Sequence, residues 1–566
     1  MDLRRVALFF ALSLLGIYLY SQLVNKLYGG PGGARVTRDT GEQVERPQER
    51  PEVARPLEPV ARPVETAAPL PQGRLVVVET DVFRAEWTTA GARLERLYLK
   101  NYRTAVGVES PQLELIGSVR NQELPLGVEI LPVRFNDTGV VYGADRDFLS
   151  LIGEQSGKIV FSAPGPNGEE IEKEISFRGN AYPMDLSVRV RKGLVEGAAA
   201  TAVVRLTREM GRNSGKGGGW FGGGAKGDAT SVVVLNGRRL RQESVEKLEK
   251  GPLEFTEPIW GGFAEQYFVG LALTGGEPGA RIVAGKGREG GPAVVGVEMP
   301  MVGEPPEARM KLYFGPKDID ILGAAAPALE RAVDFGMFWF IALPLLRLIK
   351  LVHVATGNYG LDIIIVSTLI KVLFLPLTKK SMVSMQAMQK LQPEMAKLRE
   401  RYKDDSERLQ KEMMELYRRH RVNPLSGCLP MLLQLPVFIG LYNTLLNAIE
   451  LRHAPFALWV TDLSSPERLV IAGQAIPMLA IAMGVSMLVQ QWMTPAAGDP
   501  TQRRMMMLMP VMFTFMFINF PSGLVLYWLV NNLLTIAQQY VLVRKPRGNN
   551  REQRDGNRRG GGTNNR

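Results

Sequence analysis

The sequence is most constrained by a series of apolar segments in its second half, each about as long as a lipid bilayer is thick. One of them, residues 361–380, reads LDIIIVSTLIKVLFLPLTKK. Residues 74–323 differ, because short alternating runs there are separated by turn signals such as Asn236 followed by Gly237. This pattern predicts a polytopic α-helical membrane protein with six transmembrane helices and an all-β sandwich domain.

The N-terminal region supplies the first of the six spans, within residues 1–28. Arg4 and Arg5 precede an apolar run, and no small-residue cleavage site follows it, which favours an uncleaved anchor. Residues 29–73 are rich in Pro, Arg and Glu, a composition that cannot bury a core. We therefore expect an extended linker between the anchor and the β domain.

The charges of the loops predict the orientation of the chain. Residues 379–426 carry a dozen Lys and Arg, and the tail at 544–566 is also basic, whereas the loop at 449–470 is nearly balanced. Because basic loops remain in the cytoplasm, both termini are expected there and the β domain in the periplasm. The predicted location is the inner membrane of a bacterium.

A helix lying in the membrane interface is predicted within residues 324–357. Arg347, Lys350 and His353 recur on one helical face there, and Pro344 interrupts the apolar run. A true span is the alternative. The remaining spans are predicted at 358–378, 427–448, 471–492, 505–521 and 522–543, joined by a cytoplasmic helical hairpin at 379–426 and by loops at 449–470 and 493–504.

Lys371 stands in the middle of the span at 358–378, where a lysine costs roughly 2.5–3.5 kcal/mol on insertion scales. Ser367 and Thr368 lie four and three residues before it, so the three share one helical face. The cytoplasmic end of the span is about 12 Å away, farther than a lysine side chain reaches. Since the other apolar segments contain no Asp or Glu, the charge requires water, amide partners or an acidic guest.

Polar side chains on the other spans either line a wet cavity with Lys371 or simply join neighbouring helices by hydrogen bonds. The lack of intramembrane carboxylates weighs against an ion-coupled transporter, and the sequence contains no Walker motif, metal-ligand cluster or nucleophile constellation. We expect a non-enzymatic protein that needs no metal or cofactor. The polar candidates are Gln434, Ser486, Gln490, Gln491, Asn531 and Asn532.

Methionines follow one face of the first helix predicted in the cytoplasmic hairpin. Such a stripe either forms an ordinary core or offers an adaptable surface to varied apolar ligands, since methionine is flexible and polarizable. A second helix is predicted after Asp405, which is placed to cap it. The methionines of the stripe are Met382, Met385, Met388 and Met395.

Several stretches resemble the YidC/Oxa family of membrane protein insertases, in the Gram-negative form that carries a large periplasmic domain. They are PLTKKSMVSMQAMQKLQPEMAKLRERY, VNPLSGCLPMLLQLPVFIGLY, ELRHAPFALWVTDLS and FPSGLVLYWLVNNLLTIAQQ. The resemblance implies a core of five helices around a positively charged groove that is open to the cytoplasm and to lipid. Its functional charge maps onto Lys371, where many members carry arginine, its small hydroxyl onto Ser367, its aromatic onto Trp528 and a polar position onto Gln491.

The resulting hypothesis is an insertase and chaperone that receives nascent transmembrane segments in this groove and releases them into the bilayer. Met382 to Met395 would belong to its substrate-receiving element. The expected partners are nascent membrane proteins, lipid and the Sec translocon with its periplasmic accessory subunits. The basic loop and tail either contact the ribosome or are merely solvated. The alternative function is a transporter or channel with a periplasmic ligand-binding domain.

Overall fold

The computed structural model describes residues 73–117, 123–165, 168–192, 200–208, 230–248, 250–286, 292–403, 405–420, 422, 429–493 and 500–544. The predicted anchor, the linker up to residue 72 and the tail after residue 544 lie outside these residues. The described residues fall into two compact units, one ending at Met337 and the other beginning at Phe338. Each unit is described by itself.

The first unit consists of three β-sheets. Their strand orders are β4-β3-β2-β1-β8, β14-β13-β16-β17-β20-β11-β10-β9-β7 and β15-β18-β19-β12-β5-β6. The strands are β1 Leu75–Glu79, β2 Phe83–Thr88, β3 Arg93–Arg103, β4 Gln112–Ile116, β5 Gly127–Leu131, β6 Phe135–Asn136, β7 Gly143–Ala144, β8 Phe148–Ser150, β9 Ser156–Pro164, β10 Glu170–Arg178, β11 Pro183–Val190, β12 Ala200–Arg208, β13 Ser231–Asn236, β14 Arg239–Ser244, β15 Leu253–Thr256, β16 Pro258–Ala264, β17 Phe268–Leu273, β18 Arg281–Lys286, β19 Ala293–Met301 and β20 Glu307–Pro316.

The sheets stack through side chains that alternate along the strands. β19 alternates between buried and half-buried positions along its whole length, as a strand with one covered face does. Trp87 of the first sheet packs on Phe161 of the second, with ring centroids 6.3 Å apart. The predicted turn at Asn236 and Gly237 is confirmed: β13 pairs with β14 from Asn236 to Arg239, and Gly237 adopts the positive φ of 55° that such a turn requires.

A buried ionic cluster joins the three sheets at one point. Asp137, just after β6, is fully buried and accepts hydrogen bonds from Arg93 of β3 at 2.7 Å and from Lys173 of β10 at 2.9 Å. The Lys173 ammonium also donates to the carbonyl oxygens of Gly91, Ala92 and Leu126 at 2.8–3.1 Å. Burial lowers the pKa of Lys173, and the Asp137 carboxylate opposes that shift. The cluster therefore joins the three sheets through two cations that share one buried carboxylate.

The β unit extends past residue 323, where the sequence placed its end. A short helix, α1 (Val245–Leu248), follows β14, and α2 (Ile319–Ala325) follows β20. A 3₁₀ turn at Leu329–Ala332 comes next, and the indole of Trp260 donates to the carbonyl oxygen of Ala328 at 3.1 Å. The contact keeps this connection against the sheet instead of leaving it in the interfacial segment predicted for residues 324–357.

The second unit is helical. The 3₁₀ turn Ile449–Leu451 and a small hairpin of β21 (Leu469–Ile471) and β22 (Gln474–Ile476) interrupt it. The hairpin occupies the start of the span predicted at 471–492, because Gly473 makes a turn with φ of 78° and helix begins only after Pro477. The helices are α3 Trp339–Thr356, α4 Tyr359–Leu373, α5 Leu375–Lys390, α6 Gln392–Arg401, α7 Ser406–Arg419, α8 Leu429–Asn447, α9 Met478–Met493, α10 Pro500–Phe517 and α11 Ser522–Arg544.

Two proline effects differ from expectation. Pro344 lies inside α3 and does not interrupt it, although the proline ring removes the hydrogen bond that the Phe340 carbonyl oxygen would otherwise accept. The first hairpin helix is instead divided into α5 and α6, since Pro393 stands at the start of α6. The predicted cap of the second hairpin helix is confirmed, as the Asp405 carboxylate accepts from the Arg408 backbone N–H at 3.0 Å.

By length and composition alone, one described helix, Gly336–Thr356, is long and apolar enough to cross a membrane. The pair Tyr359–Leu373 and Leu375–Met388 passes the same test jointly, with a bend of 58° between its members. Met478–Met493 and Met507–Phe517 are apolar but shorter. The count of six spans and the interfacial position of α3 therefore remain predictions.

The ionic cluster of the β unit generates a stability prediction. Replacing Asp137 by Asn preserves the shape of the side chain but leaves two buried cations without their anion, which destabilises by about 3–5 kcal/mol. We expect Asp137→Asn to accelerate backbone hydrogen exchange throughout β3, β5 and β10 in the full-length protein. The matched control is Asp147→Asn, because Asp147 pairs with Arg74 in solvent. Equal exchange in the two variants would contradict the prediction.

Candidate functional site

The side chain of Lys371 reaches from α4 to α11. Its ammonium donates to the hydroxyl oxygen of Thr535 at 2.7 Å and to the side-chain oxygen of Asn531 at 3.1 Å. Asn531 and Thr535 are one turn apart on α11, so they present two acceptors to one cation. The Thr535 hydroxyl donates its own proton to the Asn531 carbonyl oxygen at 2.7 Å, which leaves its lone pairs for the lysine.

Both acceptors of Lys371 are neutral. Among the described residues, no carboxylate oxygen lies within 4.0 Å of its ammonium. The sequence predicts this result, because the other apolar segments contain no Asp or Glu. The positive charge is thus hydrogen-bonded without being neutralised, in a half-buried position where water screens it less than at a surface.

Two buried acidic residues of the helical unit pair with other cations. Asp362 is fully buried and lies 2.7 Å from the His353 imidazole, and Glu450 lies 2.7 Å from the Lys350 ammonium. Lys350 and His353 therefore face protein partners, while Arg347 on the same predicted polar stripe is exposed. The stripe that suggested an interfacial helix is explained in part by these pairs between α3 and its neighbours.

The two hydroxyls predicted beside Lys371 are satisfied within their own helix. Ser367, which is buried, donates to the Ile363 carbonyl oxygen at 2.5 Å, and Thr368 donates to the Ile364 carbonyl oxygen at 2.8 Å. Serine and threonine commonly bond to the carbonyl four residues earlier in a helix. They share the face of Lys371 but make no bond to its ammonium.

The amide candidates divide between two places. Gln434 of α8 donates to the Asn531 side-chain oxygen at 3.4 Å and so joins the Lys371 cluster through a long hydrogen bond. Asn532 is buried and donates instead to the Ser486 hydroxyl of α9 at 3.0 Å. Gln491 is half-buried near the end of α9. Thus Asn531, not Asn532, is the α11 amide that contacts the lysine.

The sequence does not single out Thr535 as a partner of Lys371. Its position was available from helical spacing, since Asn531 and Thr535 are four residues apart and lie on one face. Threonine is common in apolar helices, however, and the sequence does not indicate which face of α11 meets α4.

Trp528 lies at the centre of an aromatic cluster formed by three helices. Its ring centroid is 4.8 Å from Phe438 of α8 in an edge-to-face arrangement, and 5.0 and 6.0 Å from Phe517 and Phe513 of α10. Trp528 and Asn531 are three residues apart on α11. The aromatic cluster and the Lys371 cluster therefore occupy successive turns of one helix face.

The methionines of the hairpin are distributed over α5 and α6. Met382, Met388 and Met395 are half-buried, and the side chain of Met385 lies outside the described part of the structure. The Met395 sulfur accepts a hydrogen bond from the Tyr417 hydroxyl of α7 at 3.6 Å, so this methionine contributes to packing between α6 and α7. Within the described residues, no group of His, Cys, Asp and Glu is arranged to hold a metal ion.

Two family models match the chain in succession. The model described as "YidC periplasmic domain" matches residues 75–348, and the model described as "60Kd inner membrane protein" matches residues 351–549. The first match contains all strands of the β unit, and the second contains every residue of the Lys371 cluster.

Curated relatives match over most of the chain. "Membrane protein insertase YidC" of Geotalea daltonii is 38% identical over 484 residues, covering 84% of this chain and 88% of the relative. The protein of the same name in Geobacter sulfurreducens is 38% identical over 476 residues, covering 82% of this chain and 85% of the relative. A solved structure described as "Active YidC insertase crystal structure with the first transmembrane domain resolved" is 16% identical, with a TM-score of 0.35, and covers 83% of this chain and 95% of that chain.

The geometry predicts a difference between two threonines. Thr535→Val removes one of the two acceptors of a charged donor, and hydrogen bonds to charged groups contribute about 1.5–3 kcal/mol. Thr368→Val removes only a bond within one helix. We expect Thr535→Val to lower the melting temperature of the purified protein in detergent more than Thr368→Val does. Equal losses would contradict the role of Thr535 as a partner of Lys371.

Proposed function

The chain belongs to the YidC family of membrane protein insertases, and from this membership we propose that Lys371 attracts the hydrophilic flank of a nascent transmembrane segment into a groove beside α4 and α11. The family is not enzymatic, and insertion moves a polypeptide from water to lipid without changing a covalent bond. The relatives support the insertase function and not the alternative of a transporter or channel. Nascent membrane proteins are its substrates.

One observation carries the proposal: the ammonium of Lys371 is held by two neutral oxygens. An acidic group of a substrate therefore meets a charge that no carboxylate among the described residues has already neutralised. Two opposite charges 4 Å apart attract by about 4 kcal/mol at an effective dielectric constant of 20, before desolvation is subtracted. This attraction favours the substrate flank over water inside the membrane.

The apolar surface of α4 provides the route to lipid. Ile365, Leu369 and Val372 are exposed, and their spacing places them on one stripe of the helix. A substrate helix that leaves water along such a stripe gains roughly 1.5–3 kcal/mol for each large apolar side chain it buries. The groove thus needs only to accommodate the polar flank, while the transfer of the apolar body supplies the driving force and no nucleotide is needed.

The remaining site residues have supporting roles in this proposal. The polar lining of the groove is supplied by Ser367, Thr368, Gln434 and Gln491. Trp528 and its aromatic cluster close one end of the groove, and Asn532 joins α11 to α9. The methionines at 382, 385, 388 and 395 receive the substrate on its way from the cytoplasm, because their side chains adapt to varied apolar surfaces.

The family is an inner membrane insertase with a periplasmic domain. We propose in addition that six helices cross the membrane, that both termini are cytoplasmic, and that α3 lies in the periplasmic interface. The basic hairpin and tail support this orientation. The Sec translocon and its periplasmic subunits are proposed partners, and the basic loop and tail are proposed to contact the ribosome.

Reconstitution tests the function. The purified protein in liposomes is expected to raise the insertion of a single-span substrate with a short acidic N-terminal tail above that of empty liposomes, measured by protection of the tail from an external protease. Insertion at the level of empty liposomes would contradict the proposal.

Charge substitutions at Lys371 test the mechanism. We expect Lys371→Arg to retain insertion of the acidic-tailed substrate, because the positive charge remains. Lys371→Glu should reduce it strongly, because a carboxylate repels the tail. Insertion would be measured in the same liposomes at equal protein content. If the wild type and both variants insert the substrate equally, the charge plays no part.

A further inference from the structure

The amide group of Gln538 on α11 is buried without a hydrogen-bond partner. Its nitrogen and its oxygen are both covered, and neither has a partner in the part of the chain that the structure describes. Buried amides are nearly always hydrogen-bonded, and an unsatisfied one is destabilising. The hydrogen bonds among the described helices therefore do not account for a polar side chain at this place.

Gln538 lies on the same helix face as the acceptors of Lys371. Asn531, Thr535 and Gln538 are spaced by four and three residues, which keeps them within one stripe of α11. Gln538 lies about 4.5 Å beyond Thr535 along the helix axis, toward the end that carries Arg544. Asn532 and Gln539 of the same sequence, NNLLTIAQQ, are seven residues apart and form a second stripe beside the first. Asn532 in this second stripe donates a hydrogen bond to Ser486 of α9.

The two adjacent glutamines therefore differ in a useful way. Gln539 is buried, and although its side-chain oxygen is also without a hydrogen-bond partner, the residue has another interaction within the protein. Gln538 is half-buried, and its amide has none. Gln538 is thus partly accessible while its polar tip is covered, so contact with a substrate requires the amide to turn outward about its side-chain torsions.

We propose that Gln538 binds the main-chain peptide groups of the entering substrate flank. A glutamine amide offers a donor and an acceptor side by side, which complements the carbonyl and N–H of an extended chain. Inside a membrane, unpaired peptide groups are the costliest feature of a segment that has not yet formed a helix. A main-chain contact is also independent of sequence, as a protein with varied substrates requires.

This inference rests on the proposed groove but gives Gln538 a different role from that of Lys371. Lys371 attracts the acidic side chains of the flank, whereas Gln538 binds the main chain of the flank independently of its side chains. The two contributions differ in their dependence on the substrate, so substrates with different tails can separate them.

The test uses Gln538→Met, which keeps the length of the side chain and removes its hydrogen-bonding atoms, and Gln539→Met as the matched control. For Gln538→Met we expect an unchanged or higher melting temperature and about fivefold slower insertion in liposomes, the change expected for a lost hydrogen bond. For Gln539→Met we expect a lower melting temperature and wild-type insertion at temperatures well below it. A lower melting temperature with normal insertion in Gln538→Met would overturn the proposal, because it would indicate a purely structural residue.

Three substrate tails identify the group that Gln538 binds: an acidic tail, an uncharged Ser/Gly tail, and an uncharged tail in which every second residue is proline and lacks its N–H. The defect of Gln538→Met should be equal for the first two and smaller for the third. Lys371→Gln should affect the acidic tail alone. A Gln538→Met defect restricted to the acidic tail would overturn main-chain binding by Gln538. Normal insertion by Lys371→Gln would contradict the proposed role of Lys371, but it would not affect the conclusion about Gln538.

Discussion

The helical unit depends on how one cation is held between two helices. Lys371 of α4 donates to Asn531 and Thr535 of α11, and both acceptors are uncharged. Neutral oxygens lower the cost of placing an ammonium in an apolar region, yet they leave its attraction for an anion intact. A carboxylate at the same place would have satisfied the lysine and removed that attraction.

Several other buried cations of the chain are paired with carboxylates. In the β unit, Arg93 and Lys173 share the carboxylate of Asp137, and in the helical unit Lys350 pairs with Glu450. Buried charges are ordinarily paired in this manner, because an isolated one is strongly unfavourable. Within the described residues, Lys371 departs from this pattern, and so does the half-buried Arg468, which donates to the carbonyl oxygens of Glu467 and Ile518 and to the side chain of Asn519. Unlike Arg468, which lies outside the helices, Lys371 lies within an apolar helix, and this position supports a functional role for its charge.

Much of the architecture could be predicted from the sequence, because helices, strands and turns depend on the spacing of apolar residues and on the residue types that turns require. The β domain, the hairpin at Gly237 and the helix cap at Asp405 follow from local residue types. The start of α9 was placed too early, because an apolar run does not distinguish a short hairpin ending at Ile476 from the first turns of a helix.

The site was only partly predictable for a physical reason. The lack of an acidic partner for Lys371 could be predicted, because the sequence shows directly that the other apolar segments contain no Asp or Glu. The choice of Asn531 over its neighbour Asn532 depends on the rotation of α11 against α4 and α9, which is set by packing. Thr535 and Gln538 were missed for the same reason. A single polar residue in an apolar helix can be assigned a partner only when the helix that it faces is known.

The central claim is that the polar flank of a substrate lies beside Lys371 during insertion. The most direct measurement places a photocrosslinking residue at position 535, which contacts Lys371 in the native protein, and at the exposed position 533 on the opposite face of α11 as a control. Ribosome-bound substrates of increasing length would then be irradiated. The account predicts that residues of the hydrophilic tail crosslink to position 535 at intermediate lengths and not to position 533. Crosslinks from position 535 to the apolar segment alone, or equal crosslinking of the tail to both positions, would contradict it.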